Sequence, residues 1–238
     1  MFKRKIGHLL SKLIPHETIL PILRGPLKGY KWIASAAAGE GKGLSIILNF
    51  AESQQLSMAK KLSSPDGICF DIGANVGFYT LLFSRYSKQV FAFEPLPRNI
   101  MYLSKIISIN KVQNAIIVPC AISDQTQIVL FKEGENCALG RIDNSGKQPV
   151  AAFSCDDFVS VCNVIPSLIK IDVEGGELLV LKGARNLLQK HKPTILLSTH
   201  GDNLQSDCFE FLKNLKYSQI IPLNNPNIDE ACEFAFIP

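Results

Sequence analysis

The sequence predicts an α/β domain built on a mostly parallel β-sheet with helices on both faces. From Ser64 onward, short runs rich in β-branched and aromatic residues alternate with longer amphipathic stretches. That alternation is typical of strand–helix–strand units. The chain has 238 residues, of which 47% are hydrophobic, and this suits one large globular domain rather than a disordered chain.

The core elements follow from the period of the apolar residues. Strands are expected at 68–72, 90–94, 115–119, 168–173 and 194–199, with helices at 77–86, 97–110, 177–190 and 203–215. Two further strands, at 218–223 and 233–237, have no helix between them. We therefore expect a hairpin at the edge of the sheet, which brings the number of strands to seven.

The first 60 residues are expected to form an extension packed on a core domain of residues 61–238. Apolar residues at helical spacing predict a helix over 2–14 and another over 46–61. Turn signals at Gly25-Pro26 and Lys28-Gly29 predict a small hairpin within 22–38. Further along, residues 132–147 are polar and rich in Gly and Asn, and we interpret them as a loop that covers the site.

Charge and cysteine usage restrict the partners. The net charge is +4, but residues 1–31 carry +6, so the remainder is slightly acidic. A phosphate-tracking surface over the whole domain is not expected, and nucleic acid is not a predicted partner. The basic N-terminal helix is expected to pack on the domain; contact with a membrane surface is the alternative. Seven cysteines without zinc spacing, and no signal peptide or membrane span, favour a cytoplasmic protein.

A glycine turn follows the first core strand and indicates a nucleotide site. The segment runs from Asp71 through Gly73, Ala74 and Asn75 to Gly77, where a helix begins. Such a turn places backbone N–H groups and a helix N-terminus at the carboxyl edge of the sheet. A dinucleotide fingerprint would have glycine at position 75, because the backbone must approach a pyrophosphate. An acid at position 71, beside a turn that lacks this glycine, suits a ligand that has an ammonium group and no phosphate. S-adenosyl-L-methionine is such a ligand.

The next two strand ends carry acids suited to an adenosine. Glu94, followed by Pro95, lies 21 residues beyond Gly73 and is placed to accept hydrogen bonds from ribose hydroxyls. Asp124, preceded by Ser123, follows the third strand and is placed to accept from the adenine amino group. The alternative for Asp124 is a solvated acid in a turn.

A polar group ends the fourth and fifth strands. Alternation puts Lys170, Asp172 and Glu174 on one face. Ionisable side chains there are costly unless they are paired or used. A structural Lys170–Asp172 ion pair, with Glu177 as a helix-start acid, is the alternative. His200 is the one histidine placed at the carboxyl edge of a central strand.

Four segments together resemble the FkbM family of S-adenosylmethionine-dependent methyltransferases. They are the glycine turn, Glu94-Pro95, residues 154–158, and K-I-D-V-E-G-G-E-L-L-V-L-K-G-A at 170–184. The resemblance implies a class I, Rossmann-like sheet of seven strands and O-methylation of a hydroxyl on a sugar, glycan or secondary metabolite. It also implies that Asp71, Gly73, Asn75 and Gly77 hold the methionine part of the cofactor, Glu94 its ribose and Asp124 its adenine.

These observations define the expected site and its chemistry. The predicted cofactor-binding residues are Asp71, Gly73, Ala74, Asn75, Gly77, Glu94, Pro95, Ser123, Asp124 and Asp172, and the predicted catalytic residues are His200, Asp172, Glu174 and Lys170. His200 is the expected general base, because its ordinary pKa is near neutrality, with Asp172 or Glu174 as the alternative.

Three alternatives remain open. Asp172 and Glu174 could hold a divalent metal, but no third ligand of clear spacing is visible, so no metal is predicted. A noncatalytic S-adenosylmethionine-binding protein would keep the glycine turn and Glu94 without the polar group at the fourth and fifth strands. An NAD-dependent oxidoreductase would share the sheet but should have the glycine that Asn75 replaces.

Overall fold

The computed structural model describes residues 14–37, 43–132, 134 and 140–238. The helix predicted over 2–14 therefore falls almost wholly outside the described residues. The strands are β1 (Ile19–Pro21), β2 (Lys31–Ile33), β3 (Ile68–Ile72), β4 (Gln89–Phe93), β5 (Ala115–Val118), β6 (Ala121–Ile122), β7 (Gln127–Lys132), β8 (Arg141–Ile142), β9 (Gln148–Phe153), β10 (Leu168–Ile171), β11 (Thr194–Ser198), β12 (Gln219–Pro222) and β13 (Glu233–Ile237). The helices are α1 (Leu44–Ile47), α2 (Ser53–Leu62), α3 (Phe78–Tyr86), α4 (Pro97–Ile109), α5 (Cys155–Cys162), α6 (Glu177–Gly183), α7 (Arg185–His191) and α8 (Asp202–Asn214).

Seven strands form the central sheet in the order β12-β13-β11-β10-β3-β4-β5. Five adjacent strands, β11, β10, β3, β4 and the edge strand β5, are parallel, whereas β13 runs antiparallel between β11 and β12. The predicted edge hairpin is confirmed, with its second strand inserted next to β11. Because the parallel strands share one direction, their carboxyl ends, and the polar residues that follow them, meet at one edge of the sheet.

A small second sheet, which the sequence did not predict as a unit, covers part of that edge. Its order is β6-β9-β7-β8, and β7 pairs with both β8 and β9 in antiparallel fashion. Strand β8 lies inside the segment predicted as a loop over 132–147, so part of that segment is the return arm of a hairpin. Residues 133 and 135–139 lie outside the described residues.

Aromatic packing fixes the sheet against its helices. Phe70, Phe91 and Phe93 on β3 and β4 surround Phe158 of α5 in edge-to-face contacts, with ring centroids 4.8–5.7 Å apart. All four side chains are buried. Removing one such ring costs about 3–5 kcal/mol in a packed core, so this cluster holds the ends of β3 and β4 in register.

The N-terminal segment packs on the opposite side of the sheet. Strands β1 and β2 form the predicted hairpin, although it begins at Ile19 rather than Ile22. Trp32 of β2 is fully buried, and its ring contacts Phe78 at the start of α3 edge to face at 5.9 Å. The predicted boundary at residue 60 falls inside α2.

Two helices predicted as continuous are each broken. The helix predicted over 46–61 is interrupted where Asn49 and Glu52 adopt left-handed backbone angles, which places Glu52 just before α2. The helix predicted over 177–190 is divided at Ala184. The carboxylate of Asp156 accepts hydrogen bonds from the backbone N–H groups of Asn186 and Leu187, which caps the start of α7. Periodicity does not reveal either break, because each depends on groups distant in sequence or on turn geometry.

Candidate active site

A cavity of about 430 Å³ lies at the carboxyl edge of β3, β4 and β10. Its volume is in the range of small-molecule and cofactor sites. Several of its lining residues come from the glycine turn and from the ends of β4 and β10, and others come from the N-terminal segment and the second sheet. The lining residues include Trp32, Glu52, Gly73, Ala74, Asn75, Phe78, Tyr79, Glu94, Pro95, Phe131, Gly140, Ile142, Lys170, Asp172 and Glu174.

The glycine turn is shaped by close backbone contacts. Gly73 has φ +77°, and a Cβ at this position would lie 1.9 Å from the backbone oxygen of Asp172. Gly77 has φ +97°, and a Cβ there would lie 2.5 Å from a methyl carbon of Leu103. No other residue fits either position without displacing its neighbour. Gly77 itself does not line the cavity; it allows α3 to begin close to α4.

Glu94 is the polar centre of the part of the cavity that the glycine turn lines. Its Oε1 accepts hydrogen bonds from the Leu96 N–H (3.0 Å) and the Asn99 side-chain amide (3.2 Å), and its Oε2 accepts one from the Asn75 N–H (2.9 Å). The side chain is 5% exposed, and burial raises the pKa of its carboxyl group despite these bonds. A carboxylate has about four acceptor sites, so one remains open on Oε2.

Asn75 supplies a second open acceptor beside Glu94. Its backbone is left-handed, with φ +50°, and its side-chain oxygen is buried without a hydrogen-bond partner in the described structure. Buried polar atoms without partners are uncommon. In a cavity wall, such an atom is suited to a ligand donor.

Asp71 lies behind the turn rather than in the cavity. It is fully buried, and its Oδ2 accepts a 2.6 Å hydrogen bond from the Thr80 hydroxyl. Its Oδ1 lies 3.9 Å from the Lys170 ammonium, because the register of β3 and β10 sets these two residues side by side. The described structure therefore gives Asp71 a supporting position, and direct contact with a cofactor stays a prediction.

Lys170 connects the two ends of the cavity. Its ammonium lies 3.2 Å from Asp172 Oδ2, 3.4 Å from the Gly73 carbonyl and 5.0 Å from the centre of the Tyr79 ring. Burial opposes its charge, but the carboxylates of Asp172 and Asp71 outweigh burial and raise the pKa of Lys170. The ion pair that was the structural alternative for Lys170 and Asp172 is thus present.

Four side chains converge beside the part of the cavity that Asp172 and Glu174 line; the other two, His200 and Glu177, are not among its lining residues. Nε2 of His200 lies 3.7 Å from Asp172 Oδ1 and 3.6 Å from Glu174 Oε2. Nδ1 of His200 lies 2.8 Å from Oε1 of Glu177, a carboxylate that is completely buried. The predicted convergence of Asp172, Glu174 and His200 is therefore present, although β10 ends at Ile171 and a turn with left-handed Glu174 completes the approach.

The carboxylates change the acid–base character of His200. The hydrogen bond to Glu177 and the charges of Asp172 and Glu174 outweigh burial and raise the pKa of His200 to about 9. The raised pKa favours the protonated imidazole, and the role of His200 as general base stays a prediction. Burial raises the pKa of Glu174, although the neighbouring imidazole opposes this.

Sequence patterns missed two acids of the site. Glu177 was interpreted as a helix-start acid, yet it accepts hydrogen bonds from the Gly175 N–H (3.1 Å) and contacts His200. Its place in the motif at 170–184 was the available signal. Glu52 lines the cavity and accepts a 2.8 Å hydrogen bond from the Tyr79 hydroxyl. No local pattern marks Glu52, because its position depends on the break between α1 and α2.

The remaining predicted residues occupy different places. Ala74 and Pro95 line the cavity. Ser123 is buried, donates its backbone N–H to the Phe153 carbonyl, and its hydroxyl lies 3.1 Å from Asp124 Oδ1. Neither Ser123 nor Asp124 lines the cavity as described, although residues 120–122 do. Contact of Ser123 or Asp124 with an adenine stays a prediction.

Comparison with known proteins identifies the sequence family. A family model described as the methyltransferase FkbM domain matches residues 71–219. The hexuronic acid methyltransferase AglP of Haloferax volcanii is 27% identical over 178 residues, which are 73% of each protein. Both the glycine turn and the motif at 170–184 fall within the family match.

Solved structures support the fold. A crystal structure of methyltransferase FkbM from Methylobacillus flagellatus aligns with a TM-score of 0.56 at 19% identity, over 84% of this chain and 56% of that longer protein. A putative rRNA methylase from Clostridium thermocellum aligns with a TM-score of 0.52 at 11% identity, over 77% of this chain and 91% of that one. The class I methyltransferase fold expected from the sequence is confirmed.

Proposed function

The chain belongs to the FkbM methyltransferase family, and we propose that this methyltransferase uses S-adenosyl-L-methionine to methylate a hydroxyl group of a sugar or glycan. One observation carries the proposal. A single cavity has the glycine turn and Glu94 at one end and Asp172 and Glu174 at the other. Bound there, the cofactor would supply an electrophilic methyl group on a sulfonium.

The cofactor end fits that ligand without displacing protein contacts. Glu94 keeps one open acceptor site, which suits one ribose hydroxyl rather than the two expected from the sequence. The unpartnered oxygen of Asn75 suits an ammonium or hydroxyl donor. Gly73 lets the turn pack directly against the Asp172 backbone, which any side chain at this position would prevent. These contacts would orient the ligand, and orientation contributes about 7–11 kcal/mol to barrier reduction in well-positioned reactions.

The acceptor end has the groups that a hydroxyl requires. The carboxylates of Asp172 and Glu174 face the cavity, and His200 contacts both of them. They can receive a hydrogen bond from the acceptor hydroxyl and direct its oxygen. Lys170 holds Asp172 in place through the second carboxylate oxygen. Which of these groups accepts the hydroxyl proton stays a prediction, with His200 and the two carboxylates as the candidates.

The acceptor class is inferred from the relative and from the cavity wall. AglP is named as a hexuronic acid methyltransferase, and we infer a hexuronic acid or related sugar for this chain. Phe78, Tyr79 and Phe131 provide aromatic surface along the wall, which suits the apolar faces of a sugar ring. The hairpin of β7 and β8 contributes Phe131, Gly140 and Ile142, which supports a covering role for that region.

Calorimetry followed by a transfer assay tests the proposal. We expect S-adenosylhomocysteine to bind with one site per chain and NAD not to bind. With radiolabelled S-adenosylmethionine, methyl groups should be transferred to a methyl glucuronide in preference to the matched methyl glucoside. NAD binding would favour the oxidoreductase, and cofactor binding with no transfer to any hydroxylated acceptor would favour a noncatalytic role.

Two observations bear on where the protein acts. Within the described ranges, no helix is long and apolar enough to cross a membrane. The six described cysteines are free thiols, four of them buried, which is consistent with a reducing compartment. A cytoplasmic location and the absence of a nucleic-acid partner stay predictions, as does the role of the basic first residues.

A further inference from the structure

We propose that Asp172, Glu174 and His200 bind one divalent cation at the acceptor end of the cavity, and that Glu177 positions the histidine for this purpose. The inference rests on the proposed function, because it describes how the same site receives an anionic sugar. It reverses the sequence-based expectation of no metal, which depended on the lack of a third ligand. The fold supplies that ligand by placing His200, two residues beyond β11, next to the end of β10.

The donor atoms lie close to one another, near the spacing that a bound cation requires. Each of the three residues offers one ligand atom, and these atoms all lie within 4.8 Å of one another. Neighbouring ligands on an ion with bonds of about 2.1 Å lie about 3 Å apart. The 3.6 and 3.7 Å distances from His200 Nε2 to the two carboxylates therefore need to shorten by under about 1 Å. Asp172 and Glu174 are partly exposed, so their side chains can make that adjustment.

Glu177 is an independent sign that the histidine is directed toward a ligand. Its side chain is completely buried, and one of its oxygens has no hydrogen-bond partner in the described structure. The other oxygen holds Nδ1 of His200 at 2.8 Å and thereby directs Nε2 toward Asp172 and Glu174. A histidine that binds a metal through one ring nitrogen usually donates a hydrogen bond from the other ring nitrogen to a carboxylate, which fixes the orientation of the ring. The same Glu177 oxygen accepts hydrogen bonds from the Val173 and Gly175 N–H groups, so Glu177 fixes the turn that carries Glu174 as well as the histidine.

The charge balance of the cluster also favours a cation. Asp172, Glu174 and Glu177 contribute three carboxylates, and the ammonium of Lys170 contacts only the Oδ2 side of Asp172. Among the described residues, Glu174 and Glu177 form ion pairs with His200 alone. A hexuronic acid would bring a further carboxylate to this acidic wall. A divalent cation would attract the sugar carboxylate and hydroxyl and offset the repulsion.

The mixed donor set indicates the kind of cation. Carboxylate oxygens suit Mg²⁺ and Mn²⁺, whereas imidazole nitrogen suits transition metals, so Mn²⁺ accommodates both. Three protein ligands leave other coordination positions for solvent or the acceptor, and the lining carboxylates place these positions toward the cavity. A hydroxyl bound there would be more acidic and fixed in orientation.

Manganese binding to the whole chain tests the site directly. We would remove metals with EDTA, exchange the buffer and titrate Mn²⁺ while following free Mn²⁺ by electron paramagnetic resonance. One ion per chain is expected, and a ¹⁴N coupling in the bound spectrum should disappear in His200→Ala. Asp172→Asn and Glu174→Gln should each weaken binding at least 10-fold, and Glu177→Gln about 10–100-fold. Asp66→Asn, an exposed acid preceding the amino end of β3, is the matched control and should bind as wild type.

The outcomes separate this inference from the proposed function. The cation site would be overturned if Mn²⁺ did not bind stoichiometrically, or if binding were unchanged in the Asp172 and Glu174 variants. The cluster would then be an ion-paired His200 imidazolium. Methylation of a glucuronide at the full rate by the metal-free enzyme would also overturn the cation site. The proposed methyltransferase function would be supported in that case. Binding with the expected variant pattern, but no methyl transfer, would support the cation site and contradict the function. If Glu177→Gln melts at a lower temperature than wild type, the two partly exposed carboxylate variants decide the question.

Discussion

The two ends of the cavity are built on different principles. At the cofactor end, backbone geometry determines the shape of the cavity. Gly73 lies against the Asp172 carbonyl, and Glu94 accepts hydrogen bonds from two backbone N–H groups. At the acceptor end, side chains from β10 and the turn after it, from α6 and from His200, two residues beyond β11, meet, and most of them are charged. The first end is rigid and nearly satisfied, whereas the second has more negative charge than its described cations balance.

This difference suggests what each end contributes. An end built from backbone geometry can bind the same ligand in many members of a fold class, because its contacts depend on backbone shape and a few hydrogen bonds. An end made of convergent charged groups can be adjusted to a particular acceptor by single side-chain changes. Substitutions should therefore separate cofactor affinity from turnover, and the four predictions below proceed from the largest expected effect to the smallest.

Gly73→Ala should abolish measurable cofactor binding. The new Cβ would lie 1.9 Å from the Asp172 carbonyl, and φ +77° is unfavourable for alanine. We expect S-adenosylhomocysteine affinity to fall more than about 100-fold by calorimetry and the free energy of unfolding to fall by about 2–5 kcal/mol. Gly29→Ala is the matched control, since Gly29 has φ +91° with open space around it. Equal losses in both variants would show that crowding at Gly73 has no special role.

His200→Ala should separate the two ends most clearly. Without the imidazole, Asp172 and Glu174 lose the group that holds them together. We expect kcat for methyl transfer to fall about 10²–10⁴-fold, as for loss of a proton-handling group, with S-adenosylhomocysteine affinity within about threefold of wild type. His200→Gln, which can still hydrogen-bond to Glu177, should recover part of the rate. Turnover near wild type in His200→Ala would remove His200 from the mechanism.

Glu94→Gln should act at the cofactor end alone. The amide nitrogen would replace one carboxylate oxygen, so either the Asn75 N–H or the Leu96 N–H would face a donor instead of an acceptor. We expect cofactor affinity to fall about 10–100-fold and the free energy of unfolding to fall by about 1–3 kcal/mol. Calorimetry and urea denaturation measure the two effects. A lower kcat at saturating cofactor, with unchanged affinity, would place Glu94 in the chemistry instead.

The pH dependence of stability should report the excess negative charge near the acceptor end. Burial, with the charges of Glu52 and Asp172, raises the pKa of Glu233 from 4.5 to about 7, although Gln55 and Lys170 oppose this. Stabilisation from the protonated Glu233 is complete below pH 4.5 and is lost as the pH rises through about 7. Relative to wild type, Glu233→Gln should gain about 1–3 kcal/mol between pH 5 and pH 8. Parallel curves in urea denaturation across this range would contradict the shift.

Several features could be predicted because neighbouring residues encode them. The apolar runs of β3, β4, β10 and β11 predicted strands, and the glycine turn predicted a nucleotide site at their carboxyl edge. Position in a parallel sheet then predicted that Asp172, Glu174 and His200 converge. These inferences need only local period and the rule that parallel strands share one edge.

Other features depend on contacts between distant segments. The break before α2 places Glu52 in the cavity, and the cap from Asp156 divides α6 from α7, yet neither leaves a local signature. The burial of Glu177 and its bond to His200 join residues 23 positions apart. The pKa of His200 followed from these neighbours, so the expectation of a near-neutral base could not be checked from the sequence.

The amino-acid sequence alone determined the sheet, the glycine turn and the identity of the polar residues, because hydrophobic period and glycine placement act over a few neighbouring positions. Only the tertiary structure decided the charge state and partners of those residues. Burial and Coulomb interactions depend on distance in space, and a carboxylate 2.8 Å from an imidazole changes its chemistry whatever their separation along the chain.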